Sequence, residues 1–403
     1  MRFLLVMLTA CGSTVSPIEP LTATEALSGP RSPASDTDLP DAEVDCTGGG
    51  DFETIGEAIA AAENGDLLHV APCTYEEGVD FDGKTLKIVS TGGSAVTIID
   101  ARGGGAGVRA VLGEGTGTTL EGFTITNGGS ASEAAVSVDF ASLRLADVVL
   151  QDNRGFTTLY GASADVELAG VTMTGNRNSY GIVIYMSRGG LVASDLVLDC
   201  GSSTTGAHLG HGSAIFDRAD IDCAGSVATD WEHAVGIIQR STLQGSVTVL
   251  TEDDHYDDYV NLSNTVVEGS VSVTYGSMIL KNSIIDGSVT FSQVYLATTI
   301  EGSVVTGATC GVNADTDDFT LRNNVFWGNT TNVCGLLVDP VGTDDNLGVN
   351  PLFTDAATGD YTLSARSPAI DAGPDDSDDY EDVDGSRNDI GVYGGPLSIG
   401  GGW

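Results

Sequence analysis

The sequence predicts an all-β chain wound into a parallel solenoid, and three observations carry that expectation. Short apolar runs ending in Gly, Asn or Asp recur down the chain. Six of the seven cysteines fall into three pairs spaced like the runs. Composition agrees: 54 glycines and only 6% aromatic residues favour many turns and aliphatic cores over helix bundles.

The runs include Val-Thr-Ile-Ile-Asp at 96–100, Phe-Thr-Ile-Thr-Asn at 123–127, Val-Thr-Met-Thr-Gly-Asn at 171–176 and Ile-Ile-Asp-Gly-Ser at 284–288. With Ile98, Phe123, Val148, Val171, Leu196, Ile221, Leu243, Val266, Ile284, Ile300 and Val325 as anchors, the intervals run from 16 to 25 residues. Apolar and polar residues alternate within each run, which is the period of a strand. Gly and Asn at the run ends suit corners with positive φ. A repeat of this length is too short for a strand–helix–strand unit, which needs ~30 residues. It fits one solenoid turn of three short strands, stacked on the next turn at about 4.8 Å.

Stacking places residues one turn apart within reach of a disulfide. Cys46 with Cys73, Cys200 with Cys223, and Cys310 with Cys334 are separated by 27, 23 and 24 positions, so each pair is expected to join neighbouring turns. Cys11 is left over. Fifty-seven acidic against 16 basic residues give a formal net charge of −41. Such a surface repels nucleic acid and anionic lipid and attracts cations, Ca²⁺ among them.

Arg2 and the apolar Phe3–Leu8 read as an export leader. Leu8-Thr9-Ala10-Cys11 resembles the lipobox of bacterial lipoproteins, which implies acylation of Cys11 and, with no acid after it, an outer-membrane or cell-surface address. Residues 12–44, rich in Ser, Thr, Pro and acids, read as a flexible tether. The expected order is therefore leader 1–10, acylated Cys11 and tether 11–44, capped coil 45–335, and a C-terminal cap 336–403.

Ile55, Ala58, Ile59 and Ala62 share one helical face, with Thr54 and Glu57 as a capping box and Gly65 after the helix. Thr54-Ile55-Gly56-Glu57-Ala58-Ile59, Asn64-Gly65-Asp66 and Val70-Ala71-Pro72-Cys73-Thr74-Tyr75-Glu76 together resemble the N-terminal cap of the pectate-lyase-like right-handed β-helix superfamily, with Cys73 where that pattern has Gly. Asn350-Pro351-Leu352-Phe353, Ser367-Pro368-Ala369-Ile370-Asp371-Ala372-Gly373 and Asp389-Ile390-Gly391-Val392-Tyr393-Gly394-Gly395 resemble the closing segment of exported β-helix proteins. The resemblance implies a single right-handed parallel β-helix with a short cap helix and an irregular C-terminal cap. It does not specify an activity, because the scaffold hosts lyases, hydrolases, adhesins and binding proteins alike.

Several constellations are candidates for chemistry. Arg154 and Arg177 are 23 positions apart and would stack at one corner near Asp147, Asp152 and Asp195, an arrangement similar to a Ca²⁺-dependent lyase site. Gly210-His211-Gly212 resembles a polygalacturonase element but lacks its paired Asp and basic tripeptide. A periodic stripe of rings, Tyr160, Tyr185, His208 or His211, His233, His255 or Tyr256, Tyr275 and Tyr295, runs beside Asp230, Glu232 and Asp254. Aromatic rings with carboxylates suit a glycan or a cation. The competing reading is an aromatic stack inside the coil. Asp376, Asp378, Asp382 and Asp384 form an acidic run partly resembling a Ca²⁺ loop, so Ca²⁺ is the candidate cofactor.

The expected function is a monomeric, surface-anchored rod with a non-catalytic binding or structural role and carbohydrate as its ligand. A Ca²⁺-dependent polysaccharide lyase or glycoside hydrolase and an adhesin-like protein-binding rod are the alternatives.

Overall fold

The computed structural model describes residues 41–102, 104–251, 259–294, 298–316, 318–335, 338–375, 382 and 385–398. They form one parallel β-solenoid of about 12 turns. Three columns of inward side chains build its core. One runs Ile99, Ile125, Leu150, Met173, Leu198, Ile221, Leu243, Val267, Ile285, Val305 and Phe326, each residue paired with the next in parallel register. These side chains are buried because alternation turns every second residue inward while the turns above and below close off water.

The anchors read from the sequence drift between columns. Ile300 belongs with Leu280 and Leu321, whereas Ile284 is followed by Val304 and Val325, so the late spacing is 20 and 21 rather than 16 and 25. The cause is a corner whose Asn, Gly, Arg and Asp residues all take positive φ, for example Asn264 at 48°, Asn282 at 47° and Gly302 at 58°, which lets similar runs end at different corners. Buried polar residues line the interior beside that corner. Asn324 Nδ2 donates to Ile300 O (2.8 Å) in the turn before and to Asn346 Oδ1 (3.1 Å) in the turn after, and its Oδ1 accepts from Ser303 N (3.0 Å), so one side chain ties three turns. Asn153 and Asn176 repeat the device earlier in the coil.

The helix Ile55–Ala61 covers the first turns, with Ile55, Ala58 and Ile59 buried. Thr54 Oγ1 accepts from Glu57 N as expected (3.2 Å). Glu77 provides a second cap, its carboxylate accepting from Ile55 N (2.9 Å) and Gly56 N (3.0 Å). The coil begins earlier than composition implied. Asp41–Val44 pairs with Leu67–Val70 and buries Val44, so four residues assigned to the tether form the first strand. Their acidic content masked the alternation.

All three expected disulfides are present, with Cα–Cα distances of 6.4, 5.0 and 6.1 Å. Cys200 donates its N–H to Asp222 O, which sets it directly over Cys223. Cys310 instead lies in register with Thr331, so its bond to Cys334 crosses diagonally. Replacing Cys200 by Ser should cost about 3 kcal/mol in urea unfolding, the loop-closure value for this separation.

The C-terminal segment does more than close the end. Asn346 and Leu347 continue the last turn through bonds to Asn324 and Phe326. Residues beyond 351 then fold back along the side of the coil, where Tyr361, Leu363, Ala369, Ile390 and Val392 cover the outward column Val266, Ile284, Val304 and Val325. Asn264 Nδ2 fastens this strap by donating to Val392 O (3.0 Å) and Gly394 O (2.6 Å). Among the described residues no helix is long and apolar enough to cross a membrane.

Candidate functional site

The first parts of the strands Leu159–Ala169, Ile182–Ser194 and Thr205–Asp217 and the last part of Asp220–Glu232 lie in parallel register on one face. Tyr160 pairs with Tyr185, Tyr185 with His208, and His208 with Asp230. Each sits between buried neighbours, as Tyr160 does between Leu159 and Gly161, so alternation turns all four outward. The competing internal stack is therefore excluded for this column. The Tyr160 and Tyr185 rings are 5.7 Å apart and inclined by 5°, and those of Tyr185 and His208 are 5.0 Å apart and inclined by 20°.

Two further rings widen the stack. Phe156 and Tyr180 lie on each other at 4.6 Å, and their edges meet Tyr160 at 6.5 Å and Tyr185 at 5.9 Å. The result is a five-ring raft in which Tyr180 remains 53% exposed. Sequence reading missed Phe156 and Tyr180 because they sit in the connections before the paired strands, outside the apolar runs. The only available signal was their own approximate one-turn separation.

The raft ends in carboxylates. His208 Nδ1 lies 2.9 Å from Asp230 Oδ2, and Nε2 lies 3.7 Å from Glu232 Oε2. Thr248, one turn further on, donates to Asp230 Oδ1. Burial works to raise the Asp230 carboxyl, but the bonds from His208 and Thr248 outweigh it and hold Asp230 below the ordinary value. The Tyr185 phenol is pushed up by burial first and then by Tyr180, Tyr160 and the Glu232 charge. The face thus runs from an apolar raft to an anionic edge.

The rest of the stripe lies elsewhere. His211, His233 and Tyr275 occupy the adjoining corner with φ of 51°, 52° and 61°, three positions beyond the outward column. The His211 and His233 rings stack there at 4.9 Å, and Gly210-His211-Gly212 is part of this corner. Asp254, His255 and Tyr295 lie outside the described residues, as do Cys11, Asp376, Asp378 and Asp384. Asp382 is described: its carboxylate accepts from Asp389 N at 3.2 Å and from Gly395 N, holding the strap together.

Arg154 and Arg177 do stack, Arg177 N donating to Asn153 O and Arg154 N to Gly128 O, each at 2.9 Å. Both are exposed. Arg154 edges a shallow depression of about 580 Å³ with Glu76, Asp100, Arg102 and Asn127. Of the three carboxylates expected around the pair, Asp152 takes positive φ two residues before Arg154, and the other two lie apart. Asp147 and Asp195 lie at the corner preceding the strand, and Asp195 is held by Arg218 at 2.6 and 2.7 Å. Among the described residues no group of three or more His, Cys, Asp and Glu side chains is placed to hold a metal ion.

Fold and face together define a parallel β-solenoid protein carrying an external aromatic raft. No protein-family model matches the sequence, and no curated protein matches it. Among solved structures the chain is similar to a PL6-family alginate lyase, AlyGC, at 10% identity and TM-score 0.41, covering 83% of this chain. The chain spans 58% of that lyase. The pectate lyase Pel9A is similar at 14% identity and TM-score 0.38, covering 88% of this chain and 97% of the lyase. A pectin methylesterase from carrot matches at 14% identity and TM-score 0.27, covering 82% of this chain and 99% of the esterase.

Proposed function

We propose that the protein binds carbohydrate on the raft without turning it over. The observation that carries this is the outward register Tyr160–Tyr185–His208, widened by Phe156 and Tyr180 and bordered by Asp230 and Glu232. The half-exposed Tyr180 and the outward edges of the stacked rings offer apolar contact to the C–H faces of sugar rings, while phenols and carboxylates bond hydroxyls. Five rings spread over three turns match an extended chain better than a single small molecule. Binding fits better than acid–base hydrolysis. A general acid needs a raised carboxyl, and Asp230 is held in the opposite direction. Acylation at Cys11, expected from the sequence, would hold the rod at a membrane surface with the raft free to meet polymer.

Affinity electrophoresis against a panel of immobilised glycans tests the reading. Wild type should be retarded by at least one polymer and release no product. Tyr185→Ala, which removes the central ring, should lower affinity at least tenfold, about 1.4 kcal/mol, within the range for a stacked ring. Release of reducing ends or unsaturated sugar, or unchanged retardation of Tyr185→Ala, would overturn it.

A further inference from the structure

We infer that the preferred ligand carries ammonium groups, so that the raft selects an amino sugar over its acetylated or acidic counterpart. This deepens the carbohydrate reading and rests on it. Three observations meet at one place. The first is the pair Asp230 and Glu232, whose side chains are 34% and 50% exposed at the end of the ring stack. They face solvent from alternate outward positions of the strand Asp220–Glu232, with the buried Trp231 between them. The second is the raft itself. A cation within about 6 Å of a ring face is attracted by the ring electrons, and the attraction grows when water is partly excluded. Tyr185 is stacked between Tyr160 and His208, so the half-exposed Tyr180 beside it provides such a ring, and the Glu232 charge reaches the Tyr185 phenol. The third is the whole-chain charge of −41, which concentrates cations and repels polyanions before contact.

The two carboxylates have different duties. Asp230 is occupied by His208 at 2.9 Å and by Thr248, which fixes the imidazole as the last ring of the stack. Glu232 Oε2 lies 3.7 Å from His208 Nε2, longer than a hydrogen bond, so its oxygens retain capacity for a ligand. Glu232 is accordingly the selecting group and Asp230 the positioning one. An acetylated amine uses this edge less well, because its amide is neutral and offers one N–H in place of the three donors and full charge of an ammonium. A uronate carboxylate is worse placed, because like charges would be brought together beside a partly apolar surface.

Titration calorimetry with glucosamine and N-acetylglucosamine hexamers tests the assignment. At pH about 6 the glucosamine hexamer carries ammonium groups and the acetylated hexamer carries none. The glucosamine hexamer should bind at least about tenfold more tightly. Glu232→Gln should remove that preference, lowering glucosamine affinity about tenfold, whereas Glu121→Gln on another face should keep it. Equal or weaker binding of the glucosamine hexamer, or a preference surviving in Glu232→Gln, would overturn the inference. Equal loss in Glu121→Gln would also overturn it, by assigning the preference to the general field. If the acetylated hexamer binds in a Tyr185-dependent way without any preference, the carbohydrate reading stands and this inference alone fails. If neither hexamer nor any other glycan binds, both fail.

Discussion

Gly236→Ala is expected to destabilise the protein by about 3 kcal/mol, the upper part of the range for overpacking a core. A Cβ at Gly236 would lie 2.0 Å from Trp231 Cζ3 and 2.2 Å from Cη2, far inside contact distance. Trp231 is fully buried and packs edge-on against Phe216 at 6.1 Å, so the ring has nowhere to retreat. Gly236 pairs in register with Ala214 on one side and Val260 on the other, which holds its backbone in place. Trp231 also separates Asp230 from Glu232 on one strand, so a displaced ring shifts the anionic edge of the raft. Urea unfolding measures the cost. Combining Gly236→Ala with Trp231→Leu should give less than the sum of the two single losses, because the clash disappears with the ring. Strict additivity would show that Trp231 does not fill the space beside Gly236.

Asp217→Ala should cost about as much, about 3 kcal/mol, for an electrostatic reason. Asp217 is fully buried, yet its carboxylate accepts from Arg240 Nε at 2.7 Å and Nη2 at 2.5 Å, from Gln239 Nε2 at 3.2 Å, and from Arg218 Nη1. Removing it leaves two guanidiniums packed against the coil with one common anion missing, and breaking a buried pair from one side typically costs ~3–5 kcal/mol. The low end applies because Arg218 and Arg240 side chains are 45% and 27% exposed. Replacing both members, as Asp217→Leu with Arg240→Met, should recover part of the loss. Beside this network the Arg218 hydrogen bonds hold the Asp195 carboxyl below its ordinary value. The sign follows from linkage: the depressed carboxyl stabilises the fold above the ordinary carboxylate range, and that share is lost as pH falls through the lowered value. Asp195→Asn should therefore flatten the acid limb of the stability profile by lowering stability at neutral pH, with little change at the acid end.

Much of the architecture was legible because the solenoid writes itself as a period. The strand at Thr124–Thr126, the Cys spacings and the Thr54 cap each follow from local rules, and each is present, although Asn127 turns outward at the corner instead of sharing the inward face of Phe123 and Ile125. Column assignment was less legible. A spacing of 22 to 25 residues cannot tell the outward column from the corner three positions later, since turns differ in loop length by as much. Tyr160, Tyr185 and His208 share a column, whereas His211, His233 and Tyr275 share the corner. The strap was hidden for another reason. Val266, Ile284, Val304 and Val325 are as apolar as the inward residues beside them, and only the return of Tyr361, Ile390 and Val392 explains why they can face outward. That contact spans too many residues for any local pattern to announce it.

The central claim is the outward register of Tyr160, Tyr185, His208 and Asp230, because the raft, its anionic edge and its selectivity all follow from it. Paired cysteines measure it most directly. In Tyr185→Cys/His208→Cys the two Cα atoms should sit one strand spacing apart, about 4.8 Å, within the range a disulfide spans. Mild oxidation followed by peptide mapping should find that cross-link in high yield, and none in Tyr185→Cys/His211→Cys. A bridge in the second variant and not the first would place His211 over Tyr185 and contradict the account.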